Sequence, residues 1–231
     1  VEATVSEERL KKLIDLGIAL SAERDHSRLI ERILLEAKDL YDADGGTLYL
    51  LKDDGLQFVI MRNDSMNIAM GGTTGVEIPF PPLPLHNEAG EPNHKNVATH
   101  VALSKEVVNI ADAYDVGRFD FSGAKKFDEA NGYRSKSFLT VPMTNYEGDL
   151  LGVLQLINAR EDGEVVAFDQ QRQTLIEALT SQAAVANDNQ ALIEAQRILL
   201  ESFIKLIATA IDAKSPYTGG HCQRVPMLTE M

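Results

Sequence analysis

The segment that decides the fold is Val108 to Met143, VNIADAYDVGRFDFSGAKKFDEANGYRSKSFLTVPM. Its strand-like VVNI start runs out at Asp112, an acidic residue suited to capping a short helix, and a second helix opening near Asp120 closes at Asn131 and Gly132. A strand from Ser135 to Met143 follows at once. Two short helices wedged between two strands leave a concavity that the sheet must line or fill. Helix N-termini at its edge offer free backbone N–H groups to an anion.

The next stretch, LLGVLQLIN from Leu150 to Asn158, is apolar on both faces: Leu150, Gly152, Leu154 and Leu156 on one, Leu151, Val153 and Ile157 on the other. That pattern predicts a central strand with layers packed on both sides. Gln155 is the polar exception and must find a partner, either a bound ligand or, as favoured here, neighbouring backbone. Toward the N-terminus, Thr47 to Lys52 and Leu56 to Arg62 read as strands joined by a hairpin turn at Asp53 to Gly55. A helix capped by Asp25 or Ser27 precedes them, with Leu29, Ile30, Ile33, Leu34, Ala37, Leu40 and Tyr41 on one broad apolar face, ended by Gly45 and Gly46. Residues 6–20 carry a further helical stripe, Leu10, Leu13, Ile14, Gly17 and Leu20.

Asn63 to Asn96 is irregular, with Gly71, Gly72, Gly75 and the FPPLP run from Phe80 to Pro84, and only Val76 to Ile78 resembles a strand. It reads as a surface excursion over one sheet edge, with a moving lid as the alternative. His86, His94 and His100 lie in or just beyond it. Their spacing matches no compact ligand motif, and no Cys or paired carboxylate completes a set, so a metal is not expected there. Val97 to Leu103 reads as a short helix leading into the Val107 strand.

NIADAY, RF and FDEANGYRSKSFLTVPM, followed by LLGVLQLIN, together resemble the ligand-facing part of GAF domains, over residues 25 to 190. The resemblance implies an α+β fold with a six-stranded central antiparallel sheet, helices on both faces and a small-molecule pocket. It divides the chain into an N-terminal helix (1–24), a sensor domain (25–167), a long C-terminal coiled-coil helix (168–213) and a final piece (214–231). By resemblance, Ile110, Asp112 and Ala113 stand at the anion-facing helix end, Phe119 and Phe127 form the apolar wall, and Tyr133, Ser137 and Thr140, with Gln155, supply polar contacts. Each could equally be an ordinary core or strand residue. The run Lys125, Lys126, Phe127, Asp128, Glu129 contains the letters of the family's cyclic-nucleotide signature but not its spacing. The dispersed signature falls on Asn158, Ala159, Phe168, Arg172 and Gln173, where Asn and Phe are kept and Lys, Asp and Glu are not. The ion pair that braces such pockets cannot form between Ala159 and Arg172, which argues against a cyclic nucleotide and leaves the ligand unidentified.

From Phe168 to Ala213 the pattern is one long helix without Gly or Pro. Leu175, Leu179, Gln182, Ala186, Asn189, Ile193, Gln196, Leu200, Phe203, Ile207 and Ala210 alternate four and three apart, the spacing of a coiled-coil seam, with Val185, Leu192, Leu199 and Leu206 beside it. Such a helix spans about 70 Å, more than one small domain can cover, which points to a homodimer. The last segment, AIDAKSPYTGGHCQRV, resembles the opening of HD-GYP domains, bacterial metal-dependent phosphodiesterases of cyclic di-GMP. By that resemblance His221 would ligate a divalent metal, Fe or Mn, in a longer parent protein, while the motifs that define the catalyst lie past Met231. No nucleophile, base and orienter assemble into a catalytic set within this chain, and no cofactor is expected in it. The chain starts at Val1 and stops in mid-pattern, as an excised piece would.

The bulk properties agree. A net charge of −13, from 22 Lys and Arg against 35 Asp and Glu, argues against nucleic acid or an anionic membrane as partner. With Cys222 the only cysteine there is no internal disulfide, and with no membrane-length apolar run or signal-like start a cytoplasmic location is expected. The reading from another class is a dimerisation module whose pocket is filled by its own side chains.

Overall fold

The computed structural model describes residues 25–115 and 117–214. The stripes predicted at residues 6–20, and His221 and Cys222, lie outside them. Helix α1, His26–Tyr41, is capped by Asp25, whose side chain accepts from the Arg28 N–H at 3.1 Å. Its predicted face is its buried face: Leu29, Ile30, Ile33, Leu34, Ala37 and Tyr41 are all at most 1% exposed. The helix stops at Asp42, in the left-handed region at φ 48°, and Gly45 and Gly46 are instead the first residues of strand β1.

Strands β1 (Gly45–Lys52), β2 (Gly55–Asn63) and β3 (Ile68–Gly71) form one half of the main sheet. Strands β5 (Val108–Ile110), β6 (Phe138–Thr144) and β7 (Leu150–Ile157) form the other, in the order β3-β2-β1-β7-β6-β5, antiparallel at every pairing. A two-residue β4, Leu83–Pro84, pairs with the Gly55 end of β2, so the FPPLP run supplies a seventh strand that the pattern concealed. Val76 to Ile78, read as a strand from its composition, is irregular; the strand of this region is β3, followed by a 3-10 turn at Gly72–Thr74. Strands β8 (Ala159–Glu161) and β9 (Glu164–Val166) make a separate hairpin.

Helices cover both faces, as the sequence implies. The face bearing Leu48, Leu139, Val141, Met143, Leu154 and Leu156 packs under α1 and the start of the long C-terminal helix, where Ile176, Leu179, Ala183 and Ala184 are buried. Tyr41 ties the two helices by donating from its hydroxyl to the Asp169 carbonyl at 2.8 Å and by meeting Phe168 edge-on at 4.8 Å. The opposite face is covered by α2, Val97–Ser104, and α3, Ser122–Asn131. The helix expected at Asp112 does not form. Asp112 Oδ1 accepts from the Tyr114 N–H at 2.9 Å, and the Ala113 N–H donates to the Lys136 carbonyl at 2.8 Å, so the segment closes a turn against its neighbour.

The C-terminal helix, α4, runs Gln170–Lys214 and belongs to two packing units, one through Asn187 and one from Asp188. Part of the predicted seam is already occupied: Leu179 and Ala186 are 1% and 8% exposed within the first unit. In the second unit Leu192, Ile193, Leu199, Leu200, Phe203, Leu206 and Ile207 are each more than half exposed. No helix among the described residues is long and apolar enough to cross a membrane.

Gly152 shows how tightly the sheet centre is built. A Cβ there would sit 2.2 Å from the Tyr49 carbonyl oxygen, a backbone atom that cannot turn aside. Gly152→Ala is therefore expected to cost about 3 kcal/mol by forcing β1 and β7 apart, measured as a lowered urea midpoint; a change within error would show that the strands have slack.

Candidate functional site

The α2-facing side of the sheet carries a polar row inside an apolar surface. Register places Thr47 of β1 and Thr140 of β6 on either side of Gln155 of β7. All three are buried. Gln155 Nε2 donates to Thr140 Oγ1 at 3.1 Å, and Gln155 Oε1 accepts from the Tyr49 hydroxyl at 3.3 Å. Burial pushes the Tyr49 hydroxyl well above the usual tyrosine range, while a hydrogen bond with Thr47 pulls the other way. The partner of Gln155 is thus side chains rather than the backbone favoured from sequence. A residue with both donor and acceptor on one amide can bridge two strands only where register sets hydroxyls on both flanks.

Next to this row the pairing Ile110, Phe138, Ile157 begins an apolar wall. Ile110, Ala113, Phe119, Phe121, Phe138 and Val97 form one buried cluster. Phe121 and Phe138 rings lie 5.2 Å apart, and Phe119 meets His100 at 5.2 Å. Phe127 is not part of it: the residue is half-buried, and the buried position of α3 is Asp128, 2% exposed. Asp128 accepts from the Tyr114 hydroxyl at 2.9 Å, the Ser135 N–H at 2.7 Å and the Ser135 hydroxyl at 2.8 Å. This polar anchor sets the rotation of α3 and turns Phe127 away. Phe121, one residue before the helix, takes the wall position instead.

Tyr133 and Ser137 belong to a third group at the sheet end, organised by Asn158. Asn158 Oδ1 accepts from the Lys136 N–H at 2.7 Å and the Ser137 N–H at 3.2 Å, and its Nδ2 donates to the Arg134 carbonyl at 2.8 Å and the Tyr133 hydroxyl at 2.9 Å. Tyr133 in turn donates to Asp44, which also holds Arg160. Burial first, and the bond to Asp44 second, drive the Tyr133 hydroxyl far above the usual tyrosine range. Ser137 Oγ accepts from the Ala159 N–H at 3.3 Å. Asp112 stands near this end, 3.6 Å from Arg134.

The sequence-predicted residues therefore fall into separate places. Ile110, Ala113 and Phe119 meet in the wall, Thr140 and Gln155 in the polar row, and Tyr133 and Ser137 in the Asn158 network. Tyr49, Thr47 and Phe121 were missed, and His100 was weighed only as a metal ligand; strand alternation from Thr47 could have found the first two. Asn158 and Phe168, the kept positions of the cyclic-nucleotide signature, serve the fold: Phe168 is 4% exposed in the core against Tyr41. Gln173 accepts from Asn109 Nδ2 at 3.3 Å and donates from its Nε2 to Glu177 at 2.9 Å, so its amide links β5 to the long helix where the signature has an acid. No cluster of three or more His, Cys, Asp or Glu able to hold a metal occurs among the described residues. A hollow of about 440 Å³ lies elsewhere, on the solvent side of α1, with Arg28, Arg32, Glu36 and Asp39 in its lining. None of the predicted site residues lines it.

The family profile described as GAF domain matches residues 25–187. In sequence, the chain is 30% identical over 161 residues to the dual 3′,5′-cyclic-AMP and -GMP phosphodiesterase 11A of Takifugu rubripes, covering 69% of this chain and 16% of that protein. It is 29% identical over 148 residues to the cGMP-specific 3′,5′-cyclic phosphodiesterase of Drosophila erecta, covering 61% and 12%. In structure, the fold matches the GAF domain of an Acinetobacter phosphoenolpyruvate-protein phosphotransferase, with a TM-score of 0.58, 16% identity, and 81% and 98% of the two chains covered. It also matches free methionine-R-sulfoxide reductase from Neisseria meningitidis, with a TM-score of 0.55, 13% identity, and 78% and 89% covered. One fold thus carries unlike activities, and the site must argue function.

Asn158 sits at φ 57°, a conformation tolerated by Asn, and its side chain makes four hydrogen bonds. Asn158→Ala should remove them and cost about 3 kcal/mol, seen as a lower thermal midpoint; Asn158→Asp, which keeps the acceptor and loses the two donated bonds, should fall between.

Proposed function

The chain belongs to the GAF domain family, and from that premise we propose that it is a sensory module: the α2-facing side of its sheet takes a small molecule, and α4 pairs with the same helix of a second copy to pass on occupancy. The receiving partner in this reading is a C-terminal metal-dependent phosphodiesterase of the HD-GYP kind, cleaving cyclic di-GMP with Fe or Mn. His221 would ligate one of those metals. A cytoplasmic setting goes with this reading.

The observation that carries the proposal is the surface of α4. From Leu192 to Ile211, ten large apolar side chains are each more than 50% exposed. Scattered apolar residues on a surface need no partner, but a continuous stripe of this length does. Its spacing continues a heptad seam through Ile193, Leu200, Phe203 and Ile207, which suits a two-fold pair of identical helices. Coupling to the sheet face requires a ligand that binds the two arrangements of the pair unequally.

The cyclic nucleotides named in the relatives' descriptions are candidates for the ligand only as a chemical class. Against them stand Ala159 and Gln173, which supply neither the cation nor the acid of the dispersed signature. A second reading has its own support: Thr140, Gln155 and Tyr49 satisfy one another, and the Phe119, Phe121 and Phe138 wall closes on itself. On that reading the domain is a dimerisation module with a filled core.

The first of two measurements tests the pairing that both readings share, and the second separates them. Sedimentation should give a dimer for the chain and a monomer for Leu200→Glu with Ile207→Glu, with the melting of the domain unchanged; a wild-type monomer at all concentrations defeats the pairing. Calorimetry against cyclic mono- and dinucleotides should give heat that Gln155→Leu reduces by about tenfold in affinity, the worth of a buried hydrogen-bonding group. Silence toward the whole panel favours the filled module.

A further inference from the structure

Two of the three histidines noted in the sequence are joined to Arg118 in one hydrogen-bonded chain that the ligand reading does not use. His94 lies in the segment leading into α2, His100 on α2 itself, and Arg118 in the segment leading into α3. His100 Nδ1 is 2.9 Å from His94 Nδ1, and Arg118 Nη2 is 3.3 Å from His100 Nε2. A guanidinium only donates, so Nε2 of His100 accepts and its Nδ1 carries the proton. That Nδ1–H donates to His94 Nδ1, which leaves the His94 proton on Nε2. One proton arrangement satisfies the whole chain, and in it both rings are neutral.

The chain also positions the apolar wall. Phe119, beside Arg118, is 8% exposed, meets the His100 ring edge-on, and has the Arg118 guanidinium 5.3 Å over its face. Arg118 itself is exposed, whereas His100 is buried. An added proton has no comfortable place. On His94 Nδ1 it faces the His100 Nδ1–H; if His100 then moves its own proton to Nε2, that N–H faces Arg118. Direct protonation of His100 Nε2 does the same with a second positive charge. Both ends of the chain, His94 and Arg118, are exposed; Arg118, which can only donate and carries a permanent charge, is the one displaced once His100 Nε2 holds a proton.

We propose that His94, His100 and Arg118 form a pH-operated latch: with both imidazoles neutral it fastens the Arg118–Phe119 segment to α2, and uptake of one proton ejects Arg118 and loosens that segment over the sheet. Burial first, then Arg118 and His94, hold His100 below the usual histidine range, and Glu106 opposes them weakly. Lys95 and Asp120 flank the chain on the two loops; the Asp120 carboxylate is engaged by the Ser122 N–H at 2.8 Å. The unfolded chain, with its histidine near 6.5, takes up the proton before the folded one does. Stability therefore falls as pH drops below about 6.5 and levels once His100 of the folded chain is itself protonated. The latch works whether or not the face beneath it holds a ligand.

Imidazole ¹⁵N shifts of the full chain test this directly. At pH 7.5 His100 should carry its proton on Nδ1 with an unprotonated Nε2, and it should titrate below the usual histidine range; in Arg118→Met its titration should move up. Amide exchange at residues 118–122 should quicken about tenfold between pH 7.5 and 5.5 against β7 amides, the worth of one hydrogen bond to a charged group. His94→Asn, which keeps an acceptor where Nδ1 stood but cannot titrate, should blunt that rise. A His100 protonated on Nε2 at pH 7.5, a titration unmoved by Arg118→Met, or exchange flat with pH each overturns the latch.

Discussion

Strand β7 is hydrogen-bonded on both edges and covered on both faces, and that double burial dictates the work of the remaining elements. Its backbone is satisfied by β1 and β6. Its side chains cannot be satisfied by other strands, so each face needs its own layer. Leu154 and Leu156 recruit the amphipathic α1 and the first turns of α4, while Val153 and Gln155 need cover from α2. Antiparallel order follows from the short hairpins at either side, and only the β5 edge must be reached by a long excursion. The site is what lies beneath that excursion.

Apolar burial closes the two layers, but it is non-directional and leaves the loops undecided. Their places are set by a few buried polar groups. Asn158 turns the chain out of β7 and receives two N–H groups from the approach to β6; Asp128 fixes α3 to the same approach through Ser135 and Tyr114. Each buried polar atom left without a partner would cost about 1 to 3 kcal/mol, so a loop shifted by one residue forfeits several such bonds together. Directional bonds thus do for the connections what area does for the layers.

This division explains what could be read from the chain beforehand. The face of α1, the two-sided character of β7 and the long helix are periodic, and periodicity is a property of residue spacing alone. The buried face of α3 was misread because Phe127 looks like a core residue and Asp128 like a solvated one; their roles reverse only because Ser135 and Tyr114 arrive from elsewhere with donors. Asp112 has the same ambiguity, since a capping acid and a turn-forming acid are the same letter. Thr47, Gln155 and Thr140 are far apart in sequence, and their row exists only once the register of three strands is known. The FPPLP run hides an edge strand for a related reason: prolines erase the alternation by which strands are recognised, yet an edge position tolerates them.

The long helix carries two incompatible surfaces on one backbone. Up to Ala186 its inward residues are small or already buried, Ala183, Ala184 and Ala186 beside Ile176 and Leu179, so the helix can lie close to the sheet layer. From Leu192 onward the apolar residues are large, and the domain's own core does not include them. Between these stretches comes Asn187, Asp188, Asn189 and Gln190, a run in which three residues are poorer helix formers than the leucine- and isoleucine-rich sequence that follows. A helix is cooperative, so its continuity through such a run depends on what is packed at either side. The exposed stripe would therefore be most stable as a helix when a partner covers it.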